Sequence, residues 1–277
     1  MSEARPADTI RGLLAECNLP RLEARMLLER VLSQSRAWLL AHDTDPLPAQ
    51  AVAAFGSLVQ RRLAGEPMAY LVGEREFMGH RYAVAPGVLI PRPETELLVE
   101  TAVETLQGRA APRVLDLGTG SGAIAVAIAL ARPDADVLAT DASDAALAQA
   151  QANARALGAS NVRFGHGDWY GAVSDDQPFD LIVSNPPYIA ARDEHLQQGD
   201  LRYEPRSALT DEADGLSALR IIALGAPSRL APGAMLWMEH GWDQAPAVRQ
   251  LLAQAGLRGA QSRHDLAGIE RISGANL

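Results

Sequence analysis

From Arg113 the chain reads RVLDLG, a helix over 122–131, DVLATD, a helix over 144–157, NVRFGHGD and FDLIVSN. After a break come GAMLWMEH, a helix from about 243 and two further short strand candidates. Short runs rich in Val, Ile and Leu are strands buried on both faces, and helices alternating with them predict an α/β fold with a parallel sheet wrapped by helices. No internal repeat or low-complexity tract competes with that reading. In such a sheet, ligands bind beyond the carboxyl ends of the strands, so the residues that follow each strand are the first place to look for chemistry.

The first of these ends is Val114-Leu115-Asp116-Leu117-Gly118-Thr119-Gly120-Ser121-Gly122, a strand that opens into a glycine-rich turn and a helix. Glycines let the backbone approach a ligand without a Cβ in the way, and the helix start offers unpaired N–H groups. Asp141, ending the next strand, can accept two ribose hydroxyl hydrogens, so an adenosine-bearing cofactor is expected. The glycines alone leave NAD open, because Gly118-x-Gly120-x-x-Ala123 also meets the relaxed dinucleotide pattern. Asp116 tips the balance towards S-adenosylmethionine. A carboxylate there can hold a cationic amino group beneath the loop, where a pyrophosphate would be repelled, unless it merely ties the loop together. After the third strand, Asp168 can accept the adenine amino hydrogens and Trp169 can cover the adenine face.

A second signal follows FDLIVS: the turn Asn185-Pro186-Pro187-Tyr188. The lone pair of a planar NH₂ group is delocalised, so such a nitrogen is a poor nucleophile and positioning has to do most of the catalysis. The Asn185 side-chain oxygen can accept one N–H and the Pro186 carbonyl the other, orienting the nitrogen and stabilising positive charge that develops on it. Two prolines remove competing backbone donors, and Tyr188 can lie flat against the planar group. No ionisable base is required. The pairing of this turn with the upstream glycine loop is the strongest functional signal in the chain.

Composition narrows the alternatives. All 25 basic residues are arginine, which excludes the P-loop, Schiff-base and pyridoxal chemistries that need a lysine. A formal charge of −9 argues against tight, sequence-independent binding to DNA or RNA. Cys17 is the single cysteine and reads as core filler, and the six histidines are scattered singly, so no metal site is expected. No apolar run approaches a membrane span, and MSEARPADTI lacks the apolar stretch of a secretory signal, so a cytoplasmic location is expected.

With 277 residues, one medium domain and a smaller companion are expected. Residues 1 to about 72 read as helices, with Leu13, Leu14, Leu22, Met26, Leu27, Val31 and Leu32 at helical spacing and prolines at 6, 20, 46, 48 and 67 as punctuation. EREFMGHRYAVAPGVLI, with β-formers on both sides of Gly79, reads as a hairpin linker. PRPETELLVE then starts a helix, with Glu94 and Glu96 suited to its first turn.

PMAYLVGEREFMG, VLIPRPETELLVE, VLDLGTGSGAIAVAIA, SNPPYI, HLQQGDLRYEP and MEHGW together resemble, block by block and in order, the release-factor glutamine methyltransferases of the HemK or PrmC type. The resemblance covers nearly the whole chain. It implies a seven-stranded, Rossmann-like class I S-adenosylmethionine-dependent methyltransferase domain, preceded by a small all-helical domain and a β-hairpin linker. The implied bounds are 1–72 for the helical, substrate-docking domain, 73–92 for the linker and 93–277 for the methyltransferase. The reaction it implies is methylation of the glutamine amide in the Gly-Gly-Gln motif of class I peptide chain release factors. By position, Gly118, Thr119, Gly120, Ser121 and Gly122 would form the cofactor loop, with Asp141 on the ribose, Trp169 on the adenine and Asn185 beside the cofactor. Asn185, Pro186, Pro187 and Tyr188 would grip the glutamine, with Asn185, Pro186 and Tyr188 catalytic, and Arg92 and Glu94 would lie near the site. The insertion DEHLQQGDLRYEPRSAL is expected to wall the substrate channel, and Glu239-His240 reads as structural. Two alternatives stay open: a DNA or RNA amino-methyltransferase, which poses the same geometric problem, and an NAD-dependent oxidoreductase, which leaves the NPPY turn unexplained.

Overall fold

A computed structural model describes residues 8–173 and 177–277, so Pro6 and the first seven positions of the helical stretch lie outside the described residues. The chain forms two compact units, Met1–Gly73 and Glu74–Leu277.

The described residues of the first unit form the helices α1 (Ile10–Glu16), α2 (Arg21–Leu32), α3 (Arg36–Ala41), α4 (Ala49–Leu63) and α5 (Met68–Val72). Their starts follow the chemistry of the residues before them. Thr9 and Ser35 accept the amides of Gly12 and Trp38, and Pro20, Pro48 and Pro67 precede α2, α4 and α5. The core gathers Ile10, Ala24, Leu27, Leu28, Leu39, Phe55, Val59 and Leu71, with Leu13, Leu14, Cys17, Val31 and Leu32 packed against it. Leu22 and Met26 depart from the expected apolar face, being 64% and 36% exposed. They sit four residues apart on one side of α2, while Ala24, Leu27 and Leu28 occupy the other.

The second unit opens with the hairpin of β1 (Glu74–Phe77) and β2 (His80–Ala83). Its two-residue turn, Met78-Gly79, has φ of 51° and 74°, the double left-handed turn whose twist suits a hairpin. A 3-10 turn over Pro93–Thr95 leads into α6 (Glu96–Thr105). There follow β3 (Arg113–Leu117), α7 (Ala123–Ala131), β4 (Asp136–Asp141), α8 (Asp144–Leu157), β5 (Val162–His166) and β6 (Phe179–Ser184). The stretch after β6 carries α9 (Arg206–Leu209) and α10 (Ser217–Gly225). The chain closes with β7 (Leu230–Glu239), α11 (Ala245–Gln254), β8 (Arg258–His264) and β9 (Glu270–Asn276).

The seven strands lie in the order β5-β4-β3-β6-β7-β9-β8. β3 to β7 are parallel, and β9 runs antiparallel to both β7 and β8. Helices cover both faces: α6 and α7 contribute to one apolar cluster, α10 and α11 to the other. Residues 123–129 of α7 are all buried, which accounts for its nearly unbroken Ala/Ile/Val sequence. Strand order reverses between β3 and β6, and that switch point places the crevice where their carboxyl ends meet. β7 begins at Leu230, three residues before the GAMLWMEH segment, so the insertion ends earlier than position 232.

Candidate active site

Leu117 and Ser184 are register partners at the ends of β3 and β6, and the Ser184 hydroxyl donates to the Leu117 carbonyl at 2.7 Å. The glycine loop and the turn that starts at Asn185 therefore leave the sheet side by side. They open onto a cavity of about 480 Å³ lined by Gly118, Thr119, Gly120, Ser121, Asp141, Asp168, Trp169, Asn185, Pro186 and Pro187, among others. The ionisable residues among the lining ones are Arg92, Asp141 and Asp168.

The loop is held through its backbone. Gly118, Gly120 and Gly122 have φ of 73°, 57° and 83°, a region that a side chain would strain. The Gly118 and Thr119 amides both donate to the Thr140 carbonyl at 2.9 Å. The Asp141 carboxylate accepts the Gly120 amide at 2.9 Å and the Ser143 amide at 2.8 Å, so one side chain fixes the loop and faces the cavity. Asn153, on α8, donates to the Ser121 carbonyl at 2.8 Å and exchanges bonds with both backbone groups of Ala83, joining the loop to the hairpin. Trp169 has φ +44°, and its ring lies 3.7 Å from where a Cβ on Gly118 would stand.

Two expected members of the cofactor set take other places. Asp116 is fully buried and does not line the cavity. Its Oδ2 accepts the Thr119 hydroxyl at 2.7 Å, so it braces the loop from below. Burial pushes its carboxyl up to about 7, against the pull of the Thr119 hydroxyl and the Ala125 amide. Gly122 is likewise absent from the cavity wall. A Cβ there would meet the Ala150 Cβ at 2.9 Å and Cα at 3.1 Å, so this glycine serves the close packing of α7 on α8.

The turn is held through side chains. Asn185 Nδ2 donates to Thr95 Oγ1 at 3.1 Å, which engages the nitrogen half of the amide and leaves the oxygen half for the cavity. Tyr188 does not line the cavity. Its ring packs against the core that contains Met238 and Leu219, and its hydroxyl donates to Glu239 Oε1 at 3.0 Å. Those contacts anchor the turn to the end of β7. Gln244 clamps the turn from outside, donating to the Tyr188 carbonyl at 3.0 Å and the Gly215 carbonyl at 3.2 Å while accepting the Gly241 amide at 2.8 Å.

Glu239 and His240 do not act as a pair. His240, fully buried, donates from Nδ1 to the Gly241 carbonyl and accepts at Nε2 from Ser273, an arrangement for a neutral ring; burial holds its pKa below the ordinary value. Glu239 points into the site's support. Burial pushes it up to about 7, opposed by the hydroxyls of Thr95 and Tyr188, and its Oε2 is buried without a hydrogen-bond partner. Thr95, Asn153 and Gln244 receive no role from the motifs, and Glu239 is read from the sequence only as structural. The available signal was a carboxylate at the end of the apolar run AMLWM, a position that is costly unless donors surround it.

Arg92 lines the cavity and pairs with the buried carboxylate of Glu204, which also accepts the Ile90 amide at 3.2 Å. Glu94 is exposed and does not line it. Pro205, Ser207 and Ala208 form part of the cavity wall, and Ile189 bridges to Thr210, so the insertion folds back over the turn.

Residues 8–73 match the family described as PrmC N-terminal domain, and residues 93–201 that of the methyltransferase small domain. Over 268 residues, 97% of this chain and 99% of the relative, the sequence is 69% identical to the release factor glutamine methyltransferase of Bordetella pertussis. The chain belongs to the release factor glutamine methyltransferase family. The family enzyme of Burkholderia pseudomallei is 53% identical over 100% of this chain and 99% of its own. The fold extends further, to the T. thermophilus 16S rRNA methyltransferase in complex with AdoMet and guanosine. That likeness has a TM-score of 0.54 at 23% identity and covers 73% of this chain and 49% of that one. Membership makes this chain an S-adenosylmethionine-dependent methyltransferase with a class I, Rossmann-like fold, and the oxidoreductase and nucleic-acid alternatives are not favoured. No helix among the described residues is long and apolar enough to cross a membrane.

Proposed function

We propose that this chain methylates the side-chain amide nitrogen of the glutamine in the Gly-Gly-Gln motif of class I peptide chain release factors, and so tunes translation termination in the cytoplasm. The observation that carries this reading is the register of β3 and β6, which sets a loop of left-handed glycines beside a turn whose free groups are neutral oxygens. The relatives that carry this activity in their names span the chain from end to end.

The cavity suits the cofactor. Asp141 would hold the ribose hydroxyls, Trp169 would cover the adenine beside Asp168, and Gly118, Thr119, Gly120 and Ser121 would pass beneath it. A Cβ at Gly120 would meet nothing within 4 Å, so open space adjoins the loop there. When bound, S-adenosylmethionine supplies an electrophilic methyl group on a sulfonium. The chain's own contribution is to orient the acceptor. Asn185 Oδ1 accepts one hydrogen of the glutamine NH₂ and the Pro186 carbonyl the other, which directs the nitrogen lone pair and stabilises its growing positive charge. Pro187 completes a wall without N–H donors, Tyr188 anchors the turn from below, and Pro205, Ser207 and Ala208 bound the channel by which the glutamine would enter.

Residues 1–72 would dock the release factor, 73–92 would link, and 93–277 would carry the chemistry. In the helical unit Arg11, Arg21, Arg25 and Arg36 border a hollow of about 250 Å³ with one acidic residue, Asp43, a surface suited to an acidic protein partner. Mass spectrometry of a purified release factor incubated with the protein and cofactor tests the reading. One added methyl group on the Gly-Gly-Gln glutamine is the expected product, and an unmodified factor overturns it.

A further inference from the structure

The strand order gives the cavity a direction. Asp168 and Trp169 follow β5, Asp141 ends β4, the glycine loop leaves β3 and the Asn185 turn leaves β6, and these strands are neighbours in that sequence. A cofactor with its adenine by Trp169, its ribose on Asp141 and its sulfonium near Asn185 occupies this line. The amino-acid tail leaves from the same sulfur, and the wall still uncovered is the linker side, where Val88, Leu89, Pro91 and Arg92 line the cavity. That tail ends in a carboxylate. Without a donor it would lose its hydration and gain no replacement, and Asp141 and Asp168 would repel it.

Among the described residues that line the cavity, Arg92 alone carries a positive charge. Its backbone is extended, with φ −102° and ψ 141°, and Pro91 and Pro93 restrict the chain on both sides. Glu204, whose side chain is fully buried, accepts Arg92 Nη2 at one oxygen and the Ile90 amide at the other, the latter at 3.2 Å. It steers the guanidinium and keeps it from standing as an unpaired charge. A guanidinium carries five N–H groups, and among the described residues that of Arg92 makes no further hydrogen bond. The remaining groups form a planar fork that matches a carboxylate.

We propose that Arg92 is the cofactor's carboxylate anchor: its guanidinium, set by Glu204, binds the α-carboxylate in the methionine part of S-adenosylmethionine. This deepens the cofactor placement proposed above and rests on it for the line that adenine, ribose and sulfur take.

The experiment measures, by calorimetry, binding of S-adenosylhomocysteine and of its decarboxylated analogue, which keeps the adenosine, the sulfur and the amino group. The native protein should prefer S-adenosylhomocysteine by on the order of 30-fold, the worth of a charge-assisted pair. Arg92→Leu should abolish that preference, weakening S-adenosylhomocysteine by the same factor and holding the analogue within about threefold. Because Arg92→Leu strands the Glu204 carboxylate, the double variant Arg92→Leu with Glu204→Gln is measured beside it and should behave alike. Arg92→Lys keeps a charge without the fork, so its preference should fall between. Trp169→Ala checks the placement separately: it should weaken both ligands alike, and an unaffected variant would sink the placement while the Arg92 comparison still stands. No release factor enters these measurements, so their outcome is independent of which protein is methylated. A native protein that binds both ligands equally, native discrimination in the double variant, or equal weakening of both ligands by Arg92→Leu would each overturn the anchor. Unchanged S-adenosylhomocysteine affinity in Arg92→Leu with a raised KM for release factor would also overturn it, placing Arg92 against the substrate.

Discussion

The glycine loop and the Asn185 turn leave neighbouring strands, yet they are secured in contrasting ways. The loop is fixed by its own amides, bonded to the Thr140 carbonyl and the Asp141 carboxylate at the end of the neighbouring strand β4. The turn is fixed by side chains gathered from distant parts of the chain: Thr95 before α6, Glu239 at the end of β7 and Gln244 before α11. Each rests on a fully buried carboxyl, Asp116 under the loop and Glu239 under the turn, and burial pushes both up to about 7. The loop depends on what its residues lack, a Cβ. The turn depends on what other residues supply.

Substitutions should separate the two halves. The largest effect is expected on the turn side: Asn185→Ala should reduce methyl transfer by on the order of 100- to 1,000-fold while leaving S-adenosylhomocysteine affinity within about tenfold, checked by single-turnover rates and calorimetry. Comparable binding with near-native turnover would mean that the two halves are not divided in this way.

Next comes the carboxyl under the loop. Asp116 binds its proton more tightly in the folded chain than in the unfolded one, so the folded state carries more protons between about pH 4 and 7, and stability falls as pH rises through that window. Asp116→Asn removes this dependence. Relative to the variant, the native protein should lose on the order of 2 to 4 kcal/mol between pH 4 and 8, read from denaturant melts at both values. A constant difference between the two proteins would show that Asp116 is not held protonated by burial.

Gly122→Val should cost roughly 2 to 3 kcal/mol, since a side chain there meets Ala150 and must adopt a positive φ. At about 2 to 4 °C of melting temperature per kcal/mol for a domain of this size, the loss is readily measured. Because Gly122 does not line the cavity, stability should fall more than the cofactor affinity of the molecules that remain folded. Trp169→Ala should weaken S-adenosylhomocysteine by about tenfold, the worth of one aromatic face, with little change in kcat at saturating cofactor. Smallest of all, Arg81→Ala breaks the exposed pair with Glu74 and should move stability by less than about 0.5 kcal/mol.

The same contrast explains what could be read from the sequence. Alternating apolar runs and helices specify the α/β class directly, because burial on both faces leaves no other use for runs such as VLDL and DLIVS. Gly118, Thr119, Gly120, Ser121, Asp141, Trp169, Asn185, Pro186 and Pro187 stand together in the motifs and on one cavity wall. The motif residues that stand off the cavity wall have one thing in common. Asp116, Gly122 and Tyr188 sit inside motifs, and a motif does not say which of its members face a ligand and which face the core. Gln244 lies outside the quoted blocks, and Thr95, Glu204 and Glu239 lie inside them without a role that the blocks reveal, because they act on Asn185, Arg92 and Tyr188, distant in the chain and brought close by the fold. Leu22 and Met26 show the same limit in the helical unit, where apolar spacing alone did not separate the inner face of α2 from the outer.

The pairing of Leu117 with Ser184 has one more implication. Neighbouring strands in any sheet are separated by about 4.8 Å, and this lattice constant sets the distance between the donor side and the acceptor side of the reaction. Longer helices and drifting surface segments leave that ruler unaltered. A one-residue deletion within β6 would shift it by about 3.3 Å along the strand, and no change in the loops could restore the spacing.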